Sequence, residues 1–189
     1  MTTASAADVA ELATRRLVLS AVSARDLDDI VDACQDATLH EWTTLPWPYE
    51  RADGEWFVAH AIDAWHSDAA RHWAVRADGR LIGIVSLTRS TADTAEIGFW
   101  VVADVRRRGY ITEAAAAVID DGFAVDGMRL DRIEWNGAVD NDASARTARA
   151  LGFQYEGLRR GALVTPHGRR DAWVAGLLFH DPRKRTPWP

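Results

Sequence analysis

Apolar and polar positions along the chain change period several times, and each change marks an element. Alternation at Leu17, Leu19 and Val22 predicts a first strand over Arg16 to Val22. Ser23-Ala-Arg-Asp then reads as a helix start, followed by Leu27, Ile30, Val31 and Cys34 at helical spacing. His40 to Glu50 contains Pro46 and Pro48 and reads as a stiff aromatic loop. Asp53 opens a second helix, with Trp56, Phe57, His60, Ala61, Ala64 and Trp65 on one side. Trp73 to Arg76 and Leu81 to Thr88 read as strands joined by a turn at Asp78-Gly79, and Thr94 to Val102 continues them as a meander.

The second half repeats the alternation on a longer scale. A helix is predicted from about Arg108 to Ala124, its inner face made of Ile111, Ala115, Val118 and Gly122. Leu130 to Trp135 is a strand, and Asn141-Asp-Ala-Ser caps a short helix that Gly152 ends. Phe153 to Leu163 and Asp171 to Phe179 close as a hairpin around Thr165-Pro-His-Gly. The order β-α-α-β-β-β-α-β-α-β-β predicts an α+β or α/β domain: a mixed, mostly antiparallel sheet of about seven strands with about four helices. No repeat or linker divides residues 1–189, so one domain is expected, with residues 1–13 and 181–189 as loosely held tails.

Composition narrows the class. The chain is 48% hydrophobic and 26% charged with a formal net charge of −6, which fits a globular protein and argues against general nucleic-acid binding. No apolar run approaches the roughly 18–20 residues of a membrane span. The single cysteine, Cys34, falls on an apolar helix face and reads as a buried hydrophobe, and a cytoplasmic setting is the expectation. His60 and His66 fall on different helix faces with no third ligand nearby, so no metal is expected. Nine tryptophans stand out, five of them between Trp42 and Trp73. They suit a core, a pocket wall or an interface.

Candidate chemistry concentrates between Ala95 and Ala117, where an apolar strand runs through Arg106-Arg107-Arg108-Gly109 into a helix. Free N–H groups and the positive end of the dipole at a helix start favour an anion, and arginine and glycine add charge and close backbone approach. A solvated basic turn fits the same residues. The patterns GxxxxGK[ST] and GxGxxG are absent, which excludes a P-loop and a dinucleotide fingerprint.

Four spaced blocks carry a resemblance: Glu96-Ile-Gly-Phe-Trp100, Arg108-Gly-Tyr-Ile-Thr-Glu-Ala114, Asn141-Asp-Ala-Ser144 and Leu151-Gly-Phe153. Together they resemble the GNAT acetyltransferase superfamily over roughly residues 15–180, and within it the ribosomal-protein N-terminal acetyltransferase branch. The resemblance implies direct acyl transfer from acetyl-CoA, or another acyl-CoA, to an amine. It implies pyrophosphate binding by the amides of Arg106, Arg107, Arg108, Gly109, Tyr110 and Ile111 with help from Thr112. The pantetheine arm would lie along Trp100, Val101 and Val102, with Asn141 beside it. Ile111 departs from the family's small residue at that position.

Glu96 is the first candidate for the base, with Glu134 as its rival, and an ion-paired surface glutamate is the structural alternative. Ala148 stands where many superfamily members carry a proton-donating tyrosine, and Ser144 matches the serine of the N-terminal acetyltransferase branch. Tyr155 is a second choice. Trp42, Trp47, Tyr49 and Trp56, with the loop near His167, are expected to line the acceptor pocket for a small amine or a protein N-terminus. Competing readings are a non-catalytic acyl-CoA sensor of the same fold and a nucleic-acid binder using the three arginines. Either a monomer or a homodimer is compatible with the sequence.

Overall fold

The structure, a computed structural model, describes residues 11–165 and 167–188. Its elements in chain order are β1 (Leu12–Ala13), β2 (Val18–Ala21), α1 (Leu27–Ala33), α2 (Ala37–Trp42), α3 (Arg51–His66), β3 (Ala70–Ala77), β4 (Arg80–Arg89), β5 (Thr94–Val101), α4 (Tyr110–Phe123), β6 (Arg132–Ala138), α5 (Asp142–Ala150), β7 (Gln154–Thr165) and β8 (Gly168–Leu178). The eight strands form one sheet in the order β1-β2-β3-β4-β5-β6-β8-β7. Every pair is antiparallel except β5 and β6.

The mixed, mostly antiparallel sheet is as expected, with one strand and one helix more than anticipated. The extra strand, β1, falls in the segment expected to fray. It pairs with β2 through Leu12–Leu19 and Ala13–Val18. The extra helix, α2, overlaps the segment read as a loop. Asp36 caps it by accepting from the Thr38 amide at 2.9 Å, and the helix ends at Trp42, before either proline can interfere. The expected hairpin tip includes Pro166, which lies outside the described residues, as do 1–10 and 189 of the expected tails.

The C-terminal tail is a correction. Trp188 Nε1 and Thr186 Oγ1 both donate to the Phe153 carbonyl, at 2.9 and 2.5 Å, and the Trp188 ring rests against Trp135 and Tyr155. A polar, proline-bounded segment is therefore held down by one indole and one threonine.

Helices cover both faces of the sheet centre, which is why β3 and β4 are buried almost continuously. On one face, Leu87, Ile97 and Ile133 pack under Ala114, Ala115 and Val118 of α4 and Ala148 of α5. On the other, Ala74 and Ile84 pack under Ile30, Cys34, Val58 and Ala61. The small residues of α4 let it settle close to the sheet. At Gly122 an added Cβ would lie 2.8 Å from Leu87 Cδ1. Among the described residues no helix is long and apolar enough to cross a membrane.

One topological detail positions the site. The parallel strands β5 and β6 pair only through Thr94–Arg132, Ala95–Ile133 and Glu96–Glu134. Beyond these residues β6 stays with β8 up to Ala138, while β5 stays with β4 up to Val101. The sheet therefore splits, and half of β5 presents an unpaired backbone edge.

Candidate active site

A cleft of about 530 Å³ opens at this split. Its walls come from four places: Leu39 and Trp42 of α2, Phe99 to Val101 of β5, the turn before α4 through Thr112, and Asn141, Ser144 and Thr147 around α5. That volume lies within the range of small-molecule and cofactor sites.

The strand edge supplies the first polar groups. The Val102 amide bonds to the Ile82 carbonyl at 2.9 Å, on the β4 side. Alternation then turns the N–H and C=O of Phe99 and Val101 outward into the split. The expected edge at Trp100 to Val102 is thus shifted: Val101 faces out, Phe99 joins it, and the backbone groups of Trp100 and Val102 face β4. The sequence could not show this offset, because it depends on the β4–β5 register.

The turn that follows is shaped for close approach. Arg107 and Gly109 both have left-handed backbone, with φ of 62° and 77°, and Gly109 caps α4 with no side-chain capping bond. The amides of Tyr110, Ile111 and Thr112 therefore stand at the helix start without intrahelical acceptors. Arg107 and Arg108 are exposed, and neither is ion-paired among the described residues. Ile111 packs its side chain against the core, so the larger residue leaves the backbone clear.

Arg106 does not fit the expected role of a free phosphate fork. Its guanidinium pairs with Asp36, and its Nε donates to the Val101 carbonyl at 3.2 Å. Burial disfavours the Asp36 charge, but the Thr38 amide and Arg106 outweigh it and hold the carboxyl below its ordinary value. Arg106 is thus a brace between the turn and the start of α2.

Arg16 is a residue that the sequence reading missed. Its Nε bonds to Glu113 Oε2 at 2.7 Å, its Nη1 to the Arg108 carbonyl at 3.0 Å, and its guanidinium lies 4.4 Å from the Tyr110 ring centre. Thr14 also donates to Glu113, at 2.7 Å. Together they clamp the turn from the far end of the chain. The basic pair Arg15-Arg16 was visible in sequence, but nothing there tied it to α4.

Across the cleft, the Asn141 side chain accepts from the Ser144 amide at 3.1 Å, which is an N-cap, while its amide nitrogen is left for another partner. Ser144 Oγ accepts from Trp135 Nε1 at 3.1 Å. Because that acceptor site is taken by the indole, the hydroxyl proton is free to point into the cleft. Trp135 was read only as a strand residue. Tyr155, the second-choice donor, lies against Trp188 and away from the cleft lining.

Glu96 sits at the last paired position of β5, next to Glu134. Asn136 Nδ2 donates to Glu96 Oε2 at 2.9 Å, and Asn136 Oδ1 is buried without a partner. Glu96 is exposed on the sheet face and does not line the cleft, and the atoms packed around its carboxylate raise its pKa by desolvation. The Asn136 hydrogen bond opposes the rise, Glu134 adds to it, and Arg159 opposes it. Glu134 itself is bonded to Arg132 at 3.0 Å, so Glu96 is the less committed carboxylate.

The expected acceptor wall is only partly assembled. Trp42 lines the cleft. Tyr49 instead lies in the core under α1 and α3, hydrogen-bonded to Cys34, and burial raises the pKa of both groups. Trp56 is largely exposed and stacks on His60, and Trp47 packs on His40. Neither indole lines the cleft. Aromatic clustering in sequence did not separate pocket from core and surface.

Comparison with known proteins agrees with this geometry. Residues 16–154 match the acetyltransferase (GNAT) domain family. A probable N-acetyltransferase of Bacillus subtilis, YjcK, is 37% identical over 107 residues, covering 55% of this chain and 58% of that protein. The chain thus spans a little over half the length of the curated relatives it matches. Among solved structures, the ribosomal L7/L12 alpha-N-protein acetyltransferase RimL in complex with coenzyme A superposes with a TM-score of 0.81 at 19% identity, over 89% of this chain and 98% of that one. Microcin C7 self immunity acetyltransferase MccE, in complex with acetyl-CoA and AMP, gives 0.79 at 20% identity, over 88% and 94%. With the family match covering most of its length, the chain belongs to the GNAT acetyltransferase domain family.

Proposed function

We propose that this protein transfers an acyl group from acetyl-CoA, or another acyl-CoA, to a primary amine, with a protein or peptide N-terminus as the leading acceptor class. One observation carries the reading. The outward N–H and C=O of Phe99 and the outward N–H of Val101 share one cleft with the free amides at the start of α4 and with Ser144.

The residues fit such a group. The β5 edge offers a donor and an acceptor to an amide-bearing arm. The amides from Gly109 to Thr112, with Arg107 and Arg108 beside them, suit a pyrophosphate. Bound there, the group supplies an acyl thioester that a neutral amine can attack.

Glu96 takes the proton from the incoming ammonium, directly or through a water. A carboxylate with a raised pKa is better matched to that task than an ordinary one. An α-amine titrates near 7.7–8.0 and a lysine near 10.4, so an N-terminus needs less help to become neutral. Ser144 holds its hydroxyl proton toward the departing sulfur, fixed in rotation by the Trp135 indole. The names of RimL, as an alpha-N-protein acetyltransferase, and of its relatives support the acceptor class. The single buried thiol suits a reducing cytoplasm.

Free-thiol release from acetyl-CoA, measured against a panel of N-terminal peptides and small amines, tests this function. Release that depends on an amine is expected. Tight CoA binding without release for any acceptor would overturn the proposal.

A further inference from the structure

Nine of the twenty-one arginines face a carboxylate among the described residues. Arg16, Arg51, Arg71, Arg76, Arg80, Arg89, Arg106, Arg132 and Arg183 all do. The hairpin of β7 and β8 gathers arginines that do not. It carries Arg159, Arg160, Arg169 and Arg170, and none of these forms an ion pair among the described residues. They are four of the twelve arginines that form no ion pair among the described residues, gathered on one hairpin.

Their placement relates them to the acceptor end of the cleft. Register pairs Arg159 with Ala172, Ala172 with Ala138, and Leu163 with Arg170. Alternation therefore puts Arg159 and Arg170 on the sheet face that holds Glu96, Glu134 and Asn136. Arg170 reaches α2, donating to the Glu41 carbonyl at 3.0 Å with its guanidinium 4.6 Å from the ring centre of Trp42, a cleft residue. That contact fixes the hairpin beside the cleft.

Arg169 is held by the Gly161 carbonyl at 2.9 Å. Arg159 and Arg160 have no such tether. Arg160 sits in the irregular stretch between Arg159 and Leu163, where the strand leaves its register and exposes its side chain. Among the hairpin-side carboxylates, Glu134 and Glu156 are already satisfied by Arg132, and Asp171 accepts from the Gly161 amide at 2.7 Å. Arg159 thus shares the sheet face of Glu96, from which an acceptor chain would leave, and Arg160 stands exposed next to it.

We propose that the acceptor is a peptide whose N-terminal amine is followed, within its first few residues, by Asp or Glu, and that Arg159 and Arg160 receive that carboxylate. This rests on the acyl-transfer reading above. With the amine at Glu96, an extended chain advances about 3.3–3.6 Å per residue, which brings a carboxylate at the second to fourth position within reach of an arginine side chain. The guanidinium fork matches a carboxylate bidentately, and exposed charges of this kind act on capture, with strong dependence on salt.

The test compares three peptides that share an N-terminal residue and differ only at positions two to four, carrying Glu, Gln or Lys. Thiol release from acetyl-CoA is read at low and high potassium chloride. The expected result is a kcat/KM about tenfold higher for the Glu peptide than for the Lys peptide at low salt, shrinking as salt rises. In Arg159→Gln/Arg160→Glu the Glu-to-Lys ratio falls to about one or inverts. CoA affinity is measured alongside to confirm that the variant is folded. Release that ignores peptide charge in the wild type overturns this proposal alone. A preference that survives in the folded variant also overturns it. No release with any peptide overturns the transfer reading and this one with it.

Discussion

Asn136 donates its side-chain amide to Glu96 at 2.9 Å and keeps its own carbonyl oxygen buried with no partner. The pair spans the point where β5 and β6 part, one residue on each strand. An orphaned acceptor in a buried place costs free energy unless something fills it.

The first prediction follows from the charge state of Glu96. Desolvation raises its pKa, and the hydrogen bond from Asn136 partly reverses that by favouring the charged form. Asn136→Ala removes the bond, so the pKa rises further. A base works only when ionised, so the acidic limb of the kcat/KM profile moves to higher pH in the variant. In the wild type that limb is expected above the ordinary glutamate value, because desolvation raises the Glu96 pKa. A limb that stays in place when Asn136 is truncated would count against Glu96 as the base.

Ser144→Ala should lower kcat by about 10²-fold, the lower end of what a positioned proton donor contributes, and change CoA affinity little. Trp135→Phe keeps most of the packing but loses the indole that holds the hydroxyl, and a smaller fall in kcat is expected. Steady-state kinetics with a fixed acceptor separate the two. Full kcat in Ser144→Ala would remove the serine from the mechanism.

Gly109 occupies left-handed backbone with φ of 77°, although no atom lies closer than 3.5 Å to where a Cβ would stand. The cost of Gly109→Val is therefore conformational, about 1–2 kcal/mol or more for a β-branched residue. If the turn shifts to relieve it, the amides move, and CoA binding weakens by about tenfold. Calorimetric titration with CoA checks this, and an unchanged Kd would argue against the amide site.

Gly83 pairs with Val101 across β4 and β5, and an added Cβ would lie 2.3 Å from the Trp100 carbonyl oxygen. A backbone atom cannot step aside as a side-chain tip can. Gly83→Ala should cost about 1–3 kcal/mol, lowering Tm by roughly 2–4 °C per kcal/mol. It should also weaken CoA binding, because the displaced strand is the cleft edge. Thermal unfolding paired with CoA titration would show both effects, and an unchanged Tm would show that β5 yields freely.

Much of this was legible in the sequence because the relevant signals are local. Asp78-Gly79 marked a hairpin, Asn141 and Gly152 bounded α5, and the small inner face of α4 foretold close packing on a sheet. The strand-turn-helix around Arg106 to Gly109 was likewise readable as local structure. What escaped depends on contacts far apart in the chain. Arg16 reaches Glu113 across the fold, Asn136 meets Glu96 only because β6 runs parallel to β5, and Arg106 is diverted to Asp36. Tyr49 was misplaced for a related reason: prolines flanking an aromatic say nothing about which wall it faces, and the core under α1 and α3 claimed it.

The most direct measurement of the central claim is the fate of the acyl group itself. Acetyl-CoA and an N-terminal peptide would be incubated with wild type and with Glu96→Gln, and the products mapped by fragmentation mass spectrometry. The account predicts acetylation at the peptide α-amine by the wild type, in step with thiol release, and a marked loss with Glu96→Gln at neutral pH. Thiol release without an acylated amine, or equal transfer by both proteins, would contradict it.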